Sequence, residues 1–386
     1  MDDLKNLRGE IDKADDRILQ ALAARRKLTD RVLRAKSKKT SLRDVRREER
    51  ILNRLTREGR RHGLDAHLVT RVYQEIIDDS LRTQRLQLMA RAHPGRRDTI
   101  RVTFQGIEGA YSQLAAYKFF AKEIERSFFA GCESFDDTVR AVERDAADYA
   151  VLPIENTTAG SINQVYDLLA GTSLTIVGEV VLRIDHCLLA LADVSVFKIR
   201  RVLSHPQALA QCGKFLGKLH NCQTEFFADT AMAVRKVRED RDPLQAAIAS
   251  EDAGRRYGLK VLRRNLADRR ENFTRFLVAA KTPVQVERRV PCKTSLIMAT
   301  PHAEGALLKA LDVFHRHKLN MTKLESRPRS GTRFQYLFYV DLEGNLADPN
   351  IMAAFTELRK MTTYLKILGS YPAQEGAKTP RARSKK

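Results

Sequence analysis

The first 39 residues constrain this chain most. Leu4, Leu7, Ile11, Ile18, Leu22, Leu28 and Val32 recur at helical spacing, and between Leu4 and Lys39 only Gly9 interrupts the run. A helix of that length is about 54 Å long at 1.5 Å per residue. A domain of about 90 residues cannot bury such a stripe within itself, so a helix from a second chain is expected against it. A second helix is expected from Asp44 to Arg60, ended by "RHGLD". A third runs from Ala66 to about Ala90, with Leu68, Val72, Ile76 and Ile77 inward. The first proline is Pro94, and "RAHPGRRD", residues 91 to 98, reads as a linker.

The periodicity changes at Ile100. "IRVTFQG" and "ADYAVLPIE" read as strands, and "SINQVYDLLAG" as a helix. "LTIVGEVVLRIDHCLLAL" reads as two strands bent around Gly178. "KIRRVLSH", "LQAAIAS" and "FTRFLVAA" complete the strands. Strands alternating with helices over residues 100–282 predict an α/β domain. Residues 293–372 read strand, helix, strand, strand, helix, strand, the α+β split-βαβ or ferredoxin-like order. Residues 373–386, ending "KTPRARSKK", are expected to be a disordered basic tail.

The N-terminus, "MDDLKNLRGE", lacks the basic-then-apolar layout of a signal peptide, and no apolar run approaches the ~20 residues that span a bilayer. The five cysteines are scattered, without a C-x-x-C pair, so neither a disulfide framework nor a metal site is expected. A reduced cytoplasm follows, in which the sequons at Asn156, Asn272 and Asn320 go unused. The 69 basic and 48 acidic residues give a formal charge of +21, which suits anionic partners. A nucleic-acid-binding protein is the rival class, but it calls for a basic face with interleaved aromatic residues, and no such cluster occurs.

Several residues break their own pattern. On the first helix Ile11, Ile18, Leu22, Arg25, Val32 and Lys36 form one track with Arg8 at its head, placing cations where apolar side chains belong. Asp44 and Glu48 share a face of the second helix, and Ser80 and Gln84 continue the inward line of the third. Together they describe a polar pocket suited to a dicarboxylate. Residues 1–92 thereby resemble the all-helical chorismate mutase family. The resemblance implies an intertwined dimer, with Arg8 crossing into the partner's pocket. Conversion of chorismate to prephenate is a unimolecular rearrangement that needs a held conformation and stabilised charge, with no cofactor. By that resemblance Arg8 and Arg25 clamp the carboxylates, Lys36 and Gln84 donate to the ether oxygen, and Asp44 and Glu48 hold the ring hydroxyl beside Ser80. A preorganised donor of that sort is worth about 3 kcal/mol of barrier.

In "ENFTRFLVAA", residues 271–280, a buried strand begins with an amide, a hydroxyl and a guanidinium. "GIEGAYSQLAA", "VLPIENTTAGSINQVYDLL", "DHCLL", "SHPQALAQC" and "NFTRFLV" resemble prephenate dehydratase, in family order. The resemblance implies two α/β lobes around a cleft, like a periplasmic binding protein. It implies loss of CO₂ and the ring hydroxyl from prephenate to give phenylpyruvate. Thr274 is then the hydroxyl that hydrogen-bonds the leaving group, with Glu155, Asn156 and Gln211 lining the cleft. Arg275 is expected to hold a substrate carboxylate or orient the loop, and Phe276 to pack the strand end. Thr157, Thr158, Gly160 and Ser161 precede a helix whose free N–H groups suit a carboxylate. Arogenate dehydratase is the alternative within this chemistry, and fusion to a mutase that makes prephenate argues against it.

Residues 293–372 resemble an ACT domain, through "GALLKAL" and "LESRP". The resemblance implies an effector site for L-phenylalanine at Gly305, Ala306, Leu307, Glu325, Ser326, Arg327 and Pro328, near a subunit interface. A homodimer or higher homo-oligomer is expected, without nucleic-acid or membrane partners.

Lys36→Ala should abolish conversion of chorismate while leaving the dimer folded. Turnover near that of the wild type in a steady-state chorismate assay would remove the assignment of Lys36.

Overall fold

The structure, a computed structural model, describes residues 2–35, 45–73, 76–77, 80, 99–329 and 335–373. It divides into two compact units. One holds the N-terminal helices and residues 285–291; the other holds residues 99–284 and 292–373. Among the described residues no helix is long and apolar enough to cross a membrane.

In the first unit α1 spans Asp2–Ala35 and α2 spans Val45–Arg61. Helix α3 covers residues 66–73 and is helical again at 76–77 and 80. Thirty-four residues make α1 about 51 Å long. The break after α2 is a Schellman turn. Gly63 takes φ +72°, while the Leu64 N–H donates to Gly59 O at 2.9 Å and the Gly63 N–H to Arg60 O at 3.1 Å. The Asp65 carboxylate then caps α3, accepting from the His67 and Leu68 N–H groups at 2.9 and 3.1 Å. Gly59 lets α2 and α3 touch, since a Cβ there would lie 2.6 Å from Val69 Cγ2. Leu7, Ile11, Ile18 and Leu28 stay more than half exposed on the single chain, so the stripe of α1 remains open.

The second unit contains three sheets. The first joins β1 (Ile100–Gln105), β2 (Ser127–Cys132), β3 (Tyr149–Asn156), the short β4 (Gly160–Ser161) and β5 (Thr175–Arg183). Helices α4 (Tyr111–Phe119), α5 (Phe135–Glu143) and α6 (Asn163–Gly171) connect them. The chain then crosses to a second lobe. Its sheet joins β6 (Cys187–Ala190), β7 (Arg201–Ser204), β8 (Gln223–Phe226), β9 (Gln245–Ala249) and β10 (Lys260–Arg263). Its helices are α7 (Pro206–Gln211), α8 (Gly213–Leu216), α9 (Thr230–Asp240) and α10 (Glu251–Tyr257). The chain returns as β11 (Phe273–Ala280), inserted antiparallel between β3 and β5. This is the expected two-lobed α/β arrangement. The two strands expected on either side of Gly178 are one: β5 runs through it, with a slip in its pairing to β11 between Gly178 and Ile176. The ring of Phe119 fills the space above Gly178, where a Cβ would lie 2.4 Å from Phe119 Cε2. The strand ends at Arg183, where the chain crosses between lobes.

The last segment follows the expected order: β12 (Cys292–Ala299), α11 (Ala306–Arg316), β13 (Met321–Pro328), β14 (Tyr336–Glu343), α12 (Pro349–Met361) and β15 (Tyr364–Pro372). The sheet order is β13-β14-β12-β15, antiparallel throughout. Strand alternation sends Leu296, Met298, Val340 and Leu342 into a core beneath the two helices. It sends Ile297 and Tyr339 the other way, onto Leu152, Ile154 and Leu277 of the first lobe. The third segment therefore shares a core with the first lobe, a joint that period-two patterning alone does not announce.

The two sheets meet closely at Gly369, where a Cβ would lie 2.1 Å from the Ile176 carbonyl oxygen. Backbone cannot yield as a side chain does. Gly369→Ala should cost about 3 kcal/mol of stability, read as a lowered unfolding midpoint in urea.

Candidate active site

In the helical unit the structure brings Arg25 and Ser80 together. The Arg25 guanidinium donates to Ser80 Oγ at 2.5 Å and to Ile76 O at 3.3 Å, and Ser80 Oγ donates to Ile76 O at 2.7 Å. These bonds tie α1 to α3 at a half-buried place. Arg8 is exposed on α1, and Glu48 is half-buried in the first turn of α2. Lys36, Asp44 and Gln84 lie outside the described residues.

The second unit carries a polar network where the two lobes join. The crossing segments lie side by side: the Ile184 N–H donates to Asn272 O at 2.8 Å and the Leu266 N–H to His186 O at 3.0 Å. Asn156 closes β3 directly opposite Thr274 on β11. Its amide NH₂ donates to Thr274 Oγ1 at 2.9 Å, Asn272 Oδ1 at 2.7 Å and Phe273 O at 3.1 Å. Its oxygen accepts from the Thr158 N–H at 2.9 Å, the Ala159 N–H at 2.8 Å, Thr158 Oγ1 at 2.6 Å and Gln211 Nε2 at 3.2 Å. Gln211, at the end of α7, accepts from Asn272 Nδ2 at 2.9 Å and pairs with His186 Nε2 at 2.9 Å. The other His186 nitrogen meets the Tyr111 hydroxyl at 3.1 Å.

The order of donors decides what the network leaves available. Burial pulls the His186 imidazole below its ordinary value, so it is neutral near pH 7. Gln211 Nε2 points at Asn156 Oδ1 and Thr158 Oγ1, so the Gln211 oxygen is the acceptor facing His186 Nε2–H. His186 Nδ1 is then the acceptor facing Tyr111. At the far end Thr274 Oγ1 accepts from Asn156, and among the described residues it donates to nothing. Its proton is committed to no other described residue. Thr274 is buried, where a hydrogen bond is stronger than in water.

Three expected site residues lie elsewhere. Arg275 follows Thr274 on an extended strand and so faces the opposite side of the sheet. Its side chain, 11% exposed, donates to Glu179 at 2.7 Å, Asp341 at 2.6 Å, Glu155 at 3.0 Å and the Tyr371 hydroxyl at 3.1 Å. It is engaged by protein carboxylates and is not presented to the cleft. Glu155 goes with it, paired with Arg275 and with Lys323 of the last segment. Burial alone would raise the Glu155 carboxyl, but the Lys323 hydrogen bond and the Arg275 charge hold it below its ordinary value. Ser161 donates to Glu325 at 2.8 Å, and α6 begins only at Asn163.

Phe276 is buried in the first-lobe core. Thr157 staples its loop to β11, donating to Glu271 O at 3.1 Å and accepting from the Phe273 N–H at 2.9 Å. The N–H groups expected to be free are engaged too: that of Thr157 on Phe273 O, those of Thr158 and Ala159 on Asn156.

Sequence reasoning missed Tyr111, and gave Asn272 and His186 no role. The signal for Asn272 was its seat one residue before β11. His205 caps α7, its Nδ1 accepting from the Gln207 N–H at 3.2 Å. Burial pushes the Cys212 thiol up to about 12, so it is no nucleophile.

In the last segment Gly305 takes φ +68° before α11, and an added Cβ would meet nothing within 4 Å. Ala306 and Leu307 begin α11, half-buried. On β13, Glu325 and Arg327 face the first lobe, Arg327 pairing with Asp167 at 2.8 Å, while Ser326 and Pro328 face out.

The chorismate mutase type II family model matches residues 7–85 and the prephenate dehydratase model residues 102–284. The bifunctional chorismate mutase/prephenate dehydratase of Escherichia coli (strain K12) is 44% identical over 369 residues, 95% of this chain and 96% of that protein. Two solved structures are similar over most of this chain. A prephenate dehydratase from Arthrobacter aurescens in complex with L-Phe is 27% identical, with TM-score 0.65, over 72% of this chain and 91% of that one. GqqA, described as a novel type of quorum quenching acylase, is 34% identical, with TM-score 0.64, over 71% and 98%.

A histidine held neutral by burial sets the sign of a pH effect. Below about pH 6.5 the unfolded chain takes up a proton that folded His186 refuses. Stability from this group is whole above that value and is lost as pH falls through the lower folded one. The drop in melting temperature from about pH 7.5 to 5.5 should be smaller in His186→Gln than in the wild type, as differential scanning fluorimetry can measure.

Proposed function

The chain belongs to the bifunctional chorismate mutase/prephenate dehydratase family, and we propose how its residues divide the two reactions between the units. The enzyme rearranges chorismate to prephenate, then converts prephenate to phenylpyruvate. In the mutase domain, residues 1–92, Arg8 and Arg25 clamp the substrate carboxylates. Lys36 and Gln84 stabilise the ether oxygen, and Asp44, Glu48 and Ser80 hold the rest. The Arg25–Ser80 bond supports this reading, since it joins two of these residues from separate helices. Dimerisation through α1 brings Arg8 to the partner's pocket.

In the dehydratase domain, residues 100–282, Thr274 assists departure of the ring hydroxyl. The carboxylate bond to the ring breaks, its electron pair forms the new ring double bond, and the C–O bond breaks as CO₂ leaves. The departing hydroxide needs a donor and, finally, a proton to become water. Thr274 supplies the hydrogen bond to this hydroxide from the ring, and because a threonine hydroxyl is a very weak acid, solvent supplies the proton that completes the water. The observation that carries the reading is the bond from the Asn156 amide to Thr274 Oγ1, which leaves the threonine proton for the substrate. Gln211 and Asn272 fix the orientation of Asn156 from the other lobe and the crossing strand.

Residues 293–372 form an ACT domain of ferredoxin-like fold that takes L-phenylalanine as feedback effector, with Gly305 and the outward residues Ser326 and Pro328 at its site. The L-Phe complex of the related dehydratase supports this reading. The enzyme works as a homodimer or higher homo-oligomer in the cytoplasm.

One assay tests these roles. Purified enzyme given chorismate should yield phenylpyruvate, and Thr274→Ala should stop at prephenate. L-phenylalanine should slow the second step in the wild type but not in Ser326→Ala. Phenylpyruvate formed at the normal rate by Thr274→Ala would exclude the threonine. Turnover of arogenate in place of prephenate would move the enzyme to the alternative substrate.

A further inference from the structure

Asn156 and Thr274 are register partners on β3 and β11, and the next pair along the same two strands is Glu155 and Arg275. The pairing then slips, because Phe276 aligns with Pro153 and Ile154 has no partner. A bulge of this kind bends a strand and re-aims its neighbours. Thr274 and Asn156 meet in the cleft. Arg275 and Glu155 point behind it, into groups belonging to the last segment. Asp341 on β14 takes one Arg275 nitrogen at 2.6 Å, and Lys323 on β13 takes Glu155. Asp341 is itself fixed by Ser295 Oγ at 2.5 Å, and Ser295 by the Tyr371 hydroxyl at 2.7 Å. Lys293 holds Glu179 at 2.9 Å.

The charges show that neither side is complete alone. The first lobe brings Arg275 against Glu155 and Glu179, one cation for two carboxylates. The last segment brings Lys293 and Lys323 against Asp341, two cations for one carboxylate. Only together do they balance, in a place where an unpaired charge is costly.

We propose that Asp341 and Lys323 are positioning residues for the dehydration step. Supplied by the C-terminal domain, they clamp the Arg275–Glu155 pair and so set the Thr274–Asn156 pair one residue away. The C-terminal domain is in this way a structural part of the dehydratase site, whether or not an effector is bound. The inference rests on the reading of Thr274 given above.

The test uses the full-length enzyme with prephenate as substrate. Asp341→Asn should lower kcat by up to about 10²-fold with KM little changed, as expected when a reacting group is displaced by about an ångström. Tyr339→Phe removes another bond between the same two parts, from the Tyr339 hydroxyl to Tyr166 O at 2.7 Å, and should leave kcat unchanged. In a Thr274→Ala background, whose residual turnover of prephenate is read at high enzyme concentration and long times, Asp341→Asn should cost nothing further, since it acts through the group already removed. An equal loss in that background would mean general loosening and overturn the proposal. So would normal turnover of Asp341→Asn while Thr274→Ala is inactive. Normal turnover of Thr274→Ala would overturn the reading of Thr274 together with the proposal. The urea unfolding midpoint of each variant reports its integrity. If Asp341→Asn unfolds at the assay temperature, Lys323→Gln, at the other end of the cluster, carries the same comparison with the same outcomes.

Discussion

The antiparallel pairing of β11 with β3 is the constraint on which the second unit depends. A strand alternates its side chains, so one pairing presents two chemistries on two faces. Toward the cleft it offers amides and a hydroxyl, neutral groups that orient one another without attracting counter-charges. Toward the last segment it offers a guanidinium between carboxylates. A slip by one residue would exchange the faces, placing Arg275 in the cleft and Thr274 against buried acids. The ion cluster behind the sheet therefore also fixes register, because only one alignment pairs every buried charge.

Much of this was legible in the sequence. The helical stripe of α1, the turn at Gly63 and the strand order of the last segment follow from local periodicity and turn chemistry. Thr274, Asn156 and Gln211 do converge, although they lie on a strand from the chain's return, a strand end and a helix end. Of the two readings of Arg275, the carboxylate clamp weighed charge and left out alternation: adjacent residues of a strand cannot both face one cleft. Glu155 follows from the same rule, being the neighbour of Asn156. The shared core between the first lobe and the last segment was hidden for a different reason. The second face of β12 and β14 mixes Ile297 and Tyr339 with Lys293, Ser295 and Asp341, and a pattern shows that a face is covered without showing by what.

Composition was a poorer guide than position. The formal charge of +21 suggested anionic partners, yet the buried groups around Arg275 balance three cations against three carboxylates. The dehydratase network among Tyr111, His186, Gln211, Asn156, Asn272 and Thr274 contains no charged side chain once His186 is neutral. Such a network holds direction well. Each amide has a distinct donor end and acceptor end, so a single orientation satisfies the chain from histidine to threonine.

The return of β11 has a consequence for how the protein is made. The second lobe is one continuous stretch, from Cys187 to Arg263, and has all its strands as soon as that stretch has left the ribosome. The first lobe begins earlier but waits longer. Its sheet order, β2-β1-β3-β11-β5, leaves a gap between β3 and β5 until the chain has been synthesised to Ala280. Through that interval two hydrophobic strands have unpaired backbone edges, the kind of surface on which nascent chains misassociate. Synthesis thus runs in one direction along the chain while the lobes close in the other, the later-made one first.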